Sequence, residues 1–397
     1  MKEYLSIRDI DLKGKRTFLR LDLNVPLSGK EIRDDTRIQY ALPTINFLLD
    51  RGARVVACSH LGRPKGQVVP AMSLAPVAEA LGRFLPGRVI HFSSDAAGPD
   101  ASASAAALKP GELLLLENVR FEPGETKGDQ ELAARLRPLA PDIYVNDAFG
   151  AAHRPHASVF ALPSMYENVA MGFLLEKELS YLVGRLGSPE RPYLALLGGA
   201  KVSDKVPVLK ALSKKVDALC IGGAMAYTFL AAKGIPTGSS RIEKEQIGVA
   251  KTIIEEAASS GVLLSLPGDH VAARSIDDEA GARPVPSQAI PEGMMGFDIG
   301  PITAQTYGAA VSRAKTVLWN GPMGVFERPA FSAGTLAVAR ALADATGLTV
   351  VGGGDSVAAV KAAGVEARIS HISTGGGASL ELLAGLELPG LKVLTRK

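Results

Sequence analysis

A chain of 397 residues, 47% apolar and 21% charged, is longer than one hydrophobic core usually serves, so two globular domains are expected. A net charge of +3 is too small to argue for nucleic acid or a membrane surface as partner. Cys58 and Cys220 lie in different halves inside apolar runs, which leaves no disulfide framework or metal-ligand spacing and suits a reducing cytoplasm. Met1-Lys-Glu-Tyr4 does not open a secretory signal, and no run approaches the ~20 apolar residues of a membrane span.

Short apolar runs alternate with helix-period segments along the whole chain. In the first half the predicted order is strand 17–21, helix 36–50, strand 54–59, helix 74–84, an Ala/Ser-rich surface helix or loop at 96–108, strand 113–117, helix 129–136 and strand 143–146. Residues 169–186 read as one helix, closed by the turn Gly187-Ser-Pro-Glu-Arg-Pro192, and make a stiff connector between two halves. The second half gives strand 193–197, helix 202–213, strand 218–221, helix 244–259, strands 262–266 and 316–319, helix 331–345, and strands 348–351 and 369–373. Most strand runs lack polar alternation, as expected of strands covered on both faces. Repeated strand–helix–strand units imply parallel sheets with right-handed crossovers, hence an α/β architecture.

Polar residues gather where first-half strands end. Asp22 and Asn24 follow the first strand in Arg20-Leu-Asp-Leu-Asn-Val-Pro26, and His60 and Arg63 follow the second in Ser59-His-Leu-Gly-Arg-Pro-Lys65. Arg120 closes Leu116-Glu-Asn-Val-Arg120, and His153, Arg154 and His156 follow the strand at 143–146. Arg37 falls in the first turn of a helix, where a cation opposes the helix dipole unless an anion sits beside it. Singly, each has an ordinary surface or turn reading. Together, five arginines and four of the six histidines suit a small polyanion, with Asp22 and Asn24 reading its hydroxyls. His153-x-x-His156 has metal-like spacing but no third ligand fixed nearby.

The second half carries glycine-rich junctions. Leu197-Gly-Gly-Ala-Lys-Val-Ser-Asp-Lys205 places Lys201 and Lys205 four apart, on one face of the predicted helix. Val351-Gly-Gly-Gly-Asp-Ser356 and His371-Ile-Ser-Thr-Gly-Gly-Gly-Ala-Ser379 each read as strand, bare turn and helix start, and two in tandem point to a polyphosphate. Asp355 is placed for a Mg²⁺ bridging phosphates, and Glu327 for ribose hydroxyls. Ile221-Gly-Gly-Ala-Met225 and Met295-Gly-Phe-Asp-Ile-Gly-Pro301 either offer apolar surface to a base or simply pack helix on sheet.

These motifs, in this order, resemble the phosphoglycerate kinase family over essentially the whole chain. The resemblance rests on Arg20-x-Asp-x-Asn-Val-Pro26, His60-Leu-Gly-Arg-Pro64, Asp147-Ala-Phe-Gly150 with His153-Arg154, Gly198-Gly-Ala-Lys-Val-Ser-Asp-Lys205, Trp319-Asn-Gly-Pro322, Gly352-Gly-Gly-Asp355 and Ser373-Thr-Gly-Gly-Gly-Ala-Ser-Leu-Glu381. Ala224 departs from the family pattern, which has a third glycine there. The resemblance implies two similar doubly wound lobes, each a parallel sheet flanked by helices: an acid-binding domain at 1–168, a connecting helix at 169–186, a nucleotide domain at 187–380, and a segment at 381–397 that returns to the first domain. It implies transfer of phosphate between 1,3-bisphosphoglycerate and ADP, giving 3-phosphoglycerate and ATP with Mg²⁺, by a cytoplasmic monomer without nucleic-acid or membrane partners.

By motif match, the acid site would comprise Asp22, Leu23, Asn24, Arg37, His60, Leu61, Gly62, Arg63, Arg120 and Arg154. The nucleotide site would take Lys201, Lys205, Gly296, Glu327, Gly353, Gly354, Asp355 and Ser356, with Asp355 as metal ligand. Arg37, Lys205 and the amides of Gly375 and Gly376 would act on the transferring group, so closure of the two lobes should be obligatory. A dinucleotide-dependent dehydrogenase would need G-x-G-x-x-G after an early strand, and residues 18–26 contain no glycine. A non-catalytic nucleotide scaffold is disfavoured by Arg37, Lys205, Asp355 and the Gly375 run occurring together.

Overall fold

The computed structural model describes residues 4–397, which fall into two compact units: the chain through Ser180 together with Glu387–Lys397, and Tyr181–Leu386. The first unit is built on β1 (Arg16–Leu21), β2 (Arg54–Cys58), β3 (Ile90–Phe92), β4 (Leu113–Leu115), β5 (Ile143–Asp147) and β6 (Val169–Met171), all parallel, in the order β3-β4-β2-β1-β5-β6. Central β1 pairs on both edges and is buried from Thr17 to Leu21. Its pleat sends Leu19 and Leu21 into the core with Ile38, Ile45 and Leu48 of α1 (Thr36–Asp50). Phe18 points to the opposite face and stacks on Tyr144, ring centroids 5.7 Å apart. Burial on both faces explains the unbroken apolar run.

Residues 169–186 are not one helix. Val169–Met171 is the edge strand β6, fully buried, and its backbone is held on both sides: it pairs with β5, the Met171 N–H donates to Leu5 O, and Val169 O accepts from Thr395 N–H. Gly172 separates it from a helix over Phe173–Leu179, and a wider π-helical turn follows at Ser180–Arg185. A Cβ on Gly172 would lie 2.4 Å from Asp147 Oδ1, so the break needs glycine. The C-terminal residues 387–397 belong to this first unit, where Asn146 Nδ2 donates to Gly390 O at 3.0 Å and Leu5 N–H to Thr395 O at 2.8 Å.

The second unit contains β7 (Tyr193–Leu197), β8 (Ala218–Ile221), β9 (Leu263–Ser265), β10 (His270–Ala273), β11 (Arg283–Val285), β12 (Met295–Ile299), β13 (Thr316–Asn320), β14 (Leu348–Gly352) and β15 (His371–Ile372). Six of them form a parallel sheet in the order β9-β8-β7-β13-β14-β15, and β10, β11 and β12 form a separate antiparallel sheet. Trp319 is fully buried, and its indole N–H donates to Gly321 O at 2.8 Å. The expected strand at 369–373 shrinks to His371–Ile372. The 354–362 helix begins directly at the Gly353-Gly354 turn.

Asp298 in β12 is buried, accepting from Ile299 N–H at 2.9 Å and Gly334 N–H at 2.7 Å. Burial outweighs those two bonds and pushes its pKa up to about 7. The folded state therefore holds a proton that the unfolded chain releases near pH ~4, so this stabilisation is complete below about pH 4 and is lost as pH rises through about 7. Thermal melts of Asp298→Asn should gain on the wild type across that window; parallel pH profiles would reject this.

Candidate active site

Each parallel sheet reverses strand order at its middle, between β1 and β5 in the first unit and between β7 and β13 in the second. In such sheets ligands settle beyond the carboxyl ends of the strands at the reversal. The polar residues singled out in the sequence follow the carboxyl ends of these sheets' strands: Asp22 after β1, His60 and Arg63 after β2, Arg120 after β4, Arg154 after β5, Lys205 after β7 and Asp355 after β14.

In the first unit Arg37, on the first turn of α1, forms an ion pair with Asp22 just past β1. The anion that a cation at a helix start calls for is thus supplied by the protein itself. Asp22 Oδ1 also accepts from Asn24 N–H at 3.3 Å, and Asn24 Oδ1 from Gly62 N–H at 2.9 Å. Asp22 and Asn24 therefore brace the site as well as facing it. Leu23 and Leu61 are core side chains whose amides donate to Ser59 Oγ and Asn118 Oδ1, so they can meet a ligand only through main chain. Arg120 donates to Gly62 O at 2.6 Å, Arg154 Nε to His153 Nε2 at 3.2 Å, and Arg63 is exposed.

The electrostatics are those of a crowded cationic pocket. Burial opposes ionisation of Asp22, yet the positive charge around it, the Arg37 and Arg20 guanidiniums included, holds its pKa below the ordinary value. Burial, reinforced by the neighbouring arginines, drives His60 well below 6.5, so it is neutral at pH 7. Burial, then repulsion from Arg20 and Arg154, lowers Arg120 to about 10. His156 is lowered to about 3, chiefly by burial, so its 3.7 Å approach to Glu125 is not an ion pair at pH 7. Among the described residues no group of three His, Cys, Asp or Glu side chains is disposed to hold a metal, the His153–His156 pair included.

Asn118, given no role by the sequence, organises the pocket from beneath. Fully buried, its Nδ2 donates to Leu61 O and Met72 O at 2.7 and 2.9 Å, and its Oδ1 accepts from the amides of Leu61 and Arg120, both at 3.1 Å. Asn118→Leu would strand several buried backbone groups, and a loss of about 3 kcal/mol is expected in denaturant unfolding. A loss below about 1 kcal/mol would show that the network is dispensable.

In the second unit Lys205 ends a short 3-10 turn and donates from Nζ to Asn320 Oδ1 at the carboxyl end of β13. Burial lowers its pKa to about 8, against the pull of Asp355 and Asp204. Lys201 lies before that turn and is exposed, so the two lysines do not share a helical face; α-helix begins only at Val206. The glycines divide into two kinds. A Cβ on Gly198 would lie 2.1 Å from Pro322 O, and one on Gly223 2.5 Å from the Gly199 backbone, so these exist for main-chain packing. An added Cβ at Gly354 or Gly376 meets nothing within 4 Å; Gly376, with φ +52° and ψ −114°, and Gly353, with φ +91°, serve the turn itself.

Several expected contacts are redirected. The Gly375 N–H donates to Ser373 Oγ at 3.2 Å, which leaves Gly376 and Gly377 as the amides opening the helix at Gly377–Leu383. Ser356 is buried and its Oγ accepts from Gly321 N–H, so its side chain fixes the β13 exit. Gly296 lies in β12, donates to Ser240 Oγ at 2.9 Å, and packs so tightly on Tyr227 that a Cβ would sit 2.1 Å from the hydroxyl. Asp355 and Glu327 are exposed. A lone exposed carboxylate at a helix start fits Mg²⁺ arriving on phosphates better than a resident ion, since Mg²⁺ is commonly held by one or two carboxylates plus substrate oxygens.

The fold and these two sheet edges define a two-unit, doubly wound α/β protein with a cationic pocket on one unit and a lysine among glycine-opened helix starts on the other. A family model described as phosphoglycerate kinase matches residues 7–386. Proteins called phosphoglycerate kinase from Moorella thermoacetica and Akkermansia muciniphila are 54% and 52% identical to the chain, each alignment covering 99% of it and 99% and 98% of the relative. The solved phosphoglycerate kinase structure from Coxiella burnetii is similar at TM-score 0.88 and 40% identity, and that from Pyrococcus horikoshii at 0.84 and 33%, each over 98% of both chains. The chain belongs to the phosphoglycerate kinase family and is a phosphotransferase.

Proposed function

We propose that the chain catalyses reversible, Mg²⁺-dependent transfer of the acyl phosphate of 1,3-bisphosphoglycerate to ADP, giving 3-phosphoglycerate and ATP in glycolysis. The observation that carries the choice of substrate is unbalanced positive charge in the first unit. Arg37, Arg120 and Arg154 line the pocket and Arg20 lies buried behind it, against two neighbouring carboxylates, Asp22 and Glu125. A small molecule bearing both phosphate and carboxylate would relieve that excess, and guanidinium forks match both groups.

In the ATP-consuming direction the nucleophile is a carboxylate, ionised at pH 7 with a pKa of about 3.5–4, so no general base is required. A neutral His60 agrees with that, because it can donate a hydrogen bond without being asked to take a proton. Arg37 is assigned to the acid carboxylate and the transferring group, and Lys205 and the Gly376 amide to that group from the nucleotide side. Since Arg37 and Lys205 belong to different units, turnover requires domain closure. Bound Mg²⁺ supplies charge neutralisation on the nucleotide phosphates, and Asp355 is the residue that would hold it. Gly353 and Gly354 would let main chain approach the phosphates, and Lys201, Gly296 and Glu327 complete the nucleotide side.

The same reading makes the protein a cytoplasmic monomer acting on small molecules. Cys58 and Cys220, both buried and unpaired with thiols pushed up to about 12, suit a reducing compartment. Among the described residues no helix is long and apolar enough to cross a membrane. A coupled assay tests the activity: ADP should form only when 3-phosphoglycerate and Mg-ATP are both present. Turnover of nucleotide without the acid would overturn the proposal.

A further inference from the structure

Behind the cationic pocket lies a buried polar chain that the transfer reaction does not itself use. Glu125, Ser158 and Arg20 are all fully buried, and His60 is nearly so. Glu125 accepts twice from Ser158, from its amide at Oε2 (2.9 Å) and from its hydroxyl at Oε1 (2.7 Å). With the Ser158 proton given to Glu125, Ser158 Oγ presents only lone pairs to Arg20, and it accepts from Arg20 Nε at 2.8 Å. Arg20 Nη1 donates to Leu21 O, and Nη2 lies 4.0 Å from Glu125 Oε1 and 3.3 Å from His60 Nδ1. Every hydrogen in this chain therefore has a fixed direction.

That direction reaches His60. A guanidinium carries donors and no acceptor, so the nitrogen facing Arg20 Nη2 must be unprotonated. Nδ1 is then the lone-pair nitrogen, and in a neutral ring the proton resides on Nε2. His60 Nε2 makes no hydrogen bond with the described residues and keeps a little accessible surface, so it is the ring nitrogen left for a ligand. The groups facing the ring are Asp22 on one side and Arg20, Arg37 and Arg120 on the others, three cations that disfavour a second proton.

We propose that Glu125, Ser158 and Arg20 are positioning residues that hold His60 as the neutral Nε2–H tautomer, so that it serves the acid substrate as a hydrogen-bond donor and not as a cation. This rests on the acid-site reading given above. The relay explains why a carboxylate is buried beneath a pocket meant for anions: it compensates Arg20 and orients Ser158 without facing the ligand.

Nitrogen-15 NMR of histidine-labelled protein, without substrate, reads the tautomer directly. In the wild type His60 should show a pyrrole-like Nε2 and a pyridine-like Nδ1 at pH 7, and should take up a second proton only at a pH well below that of an ordinary imidazole. Ser158→Ala removes the acceptor that anchors Arg20 Nε, so Nη2 should no longer be held against Nδ1 and the two tautomers should mix. It should also raise KM for 3-phosphoglycerate about tenfold while changing kcat less than about threefold and leaving KM for ATP unaltered. Glu125→Gln should do the same where it folds, and Ser158→Ala carries the test where it does not. An imidazolium or an Nδ1–H ring in the wild type overturns the proposal, as does an unmoved tautomer in Ser158→Ala. Should His60→Ala leave KM for 3-phosphoglycerate unchanged while the tautomer is as assigned, the acid-site reading fails instead, and the donor role with it.

Discussion

Arg37→Ala is expected to lower kcat by at least about a hundredfold while leaving nucleotide affinity within about twofold, as loss of a contact to transition-state charge does. Arg37 is half-buried on the first turn of α1, where the helix dipole disfavours it, and it is held there by Asp22. That ion pair gives the substitution a second consequence. Without Arg37, Asp22 keeps the burial that opposes its ionisation and loses a cation that favours it, so its pKa should rise. Arg37→Lys separates the two effects: it keeps a charge for Asp22 but loses the planar fork, so it should restore melting temperature more than turnover. Nucleotide affinity is the internal control, because every nucleotide candidate lies in the other unit. Near-normal kcat in Arg37→Ala, in a protein that melts normally, would reject the assignment.

The parallel sheets were legible because they are buried on both faces. Strands at 193–197 and 218–221 match residue for residue, since an apolar run bounded by turns leaves little freedom in its limits. Helix 36–50 matches as well, its start set by Asp34, whose carboxylate accepts from Thr36 N–H. What failed was context. Val169-Ala-Met171 has no strand signature of its own and is strand only because β5, the N-terminal segment and the C-terminal segment each take part of its backbone. The antiparallel sheet of β10 to β12 was invisible because its strands are short and interrupted by Pro284 and Gly296.

At the site, charged residues were readable and their neutral supports were not. Arg37, Arg120 and Lys205 announce themselves at strand and helix ends. Asn118, Asn320 and Ser158 work through main-chain and buried partners that only folding brings together. The glycines misled in a particular way. A glycine opened for a ligand and one opened for another backbone look identical in sequence, and only the space around them separates Gly376 from Gly198.

Lys205 should be as sensitive as Arg37, but its signature is pH dependence. Burial lowers its pKa to about 8, so in the free protein the charge that would meet nucleotide phosphates disappears as pH rises through that value. Because kcat/KM follows ionisations of the free enzyme, kcat/KM for the nucleotide should fall on the alkaline side with an apparent pKa of about 8. Lys205→Met removes the charge at every pH and should cost about a thousandfold in kcat/KM, in line with loss of a strong electrostatic contact in a sheltered site. Lys205→Arg cannot lose its proton in this range, so a lower but flat profile is expected above pH ~8. Asn320 supplies the amide oxygen that holds the amine in place, and Asn320→Ala should raise KM for the nucleotide more than it lowers kcat. An alkaline limb that survives unchanged in Lys205→Arg would belong to another group, and Lys205 would then not be the charge that the phosphates meet.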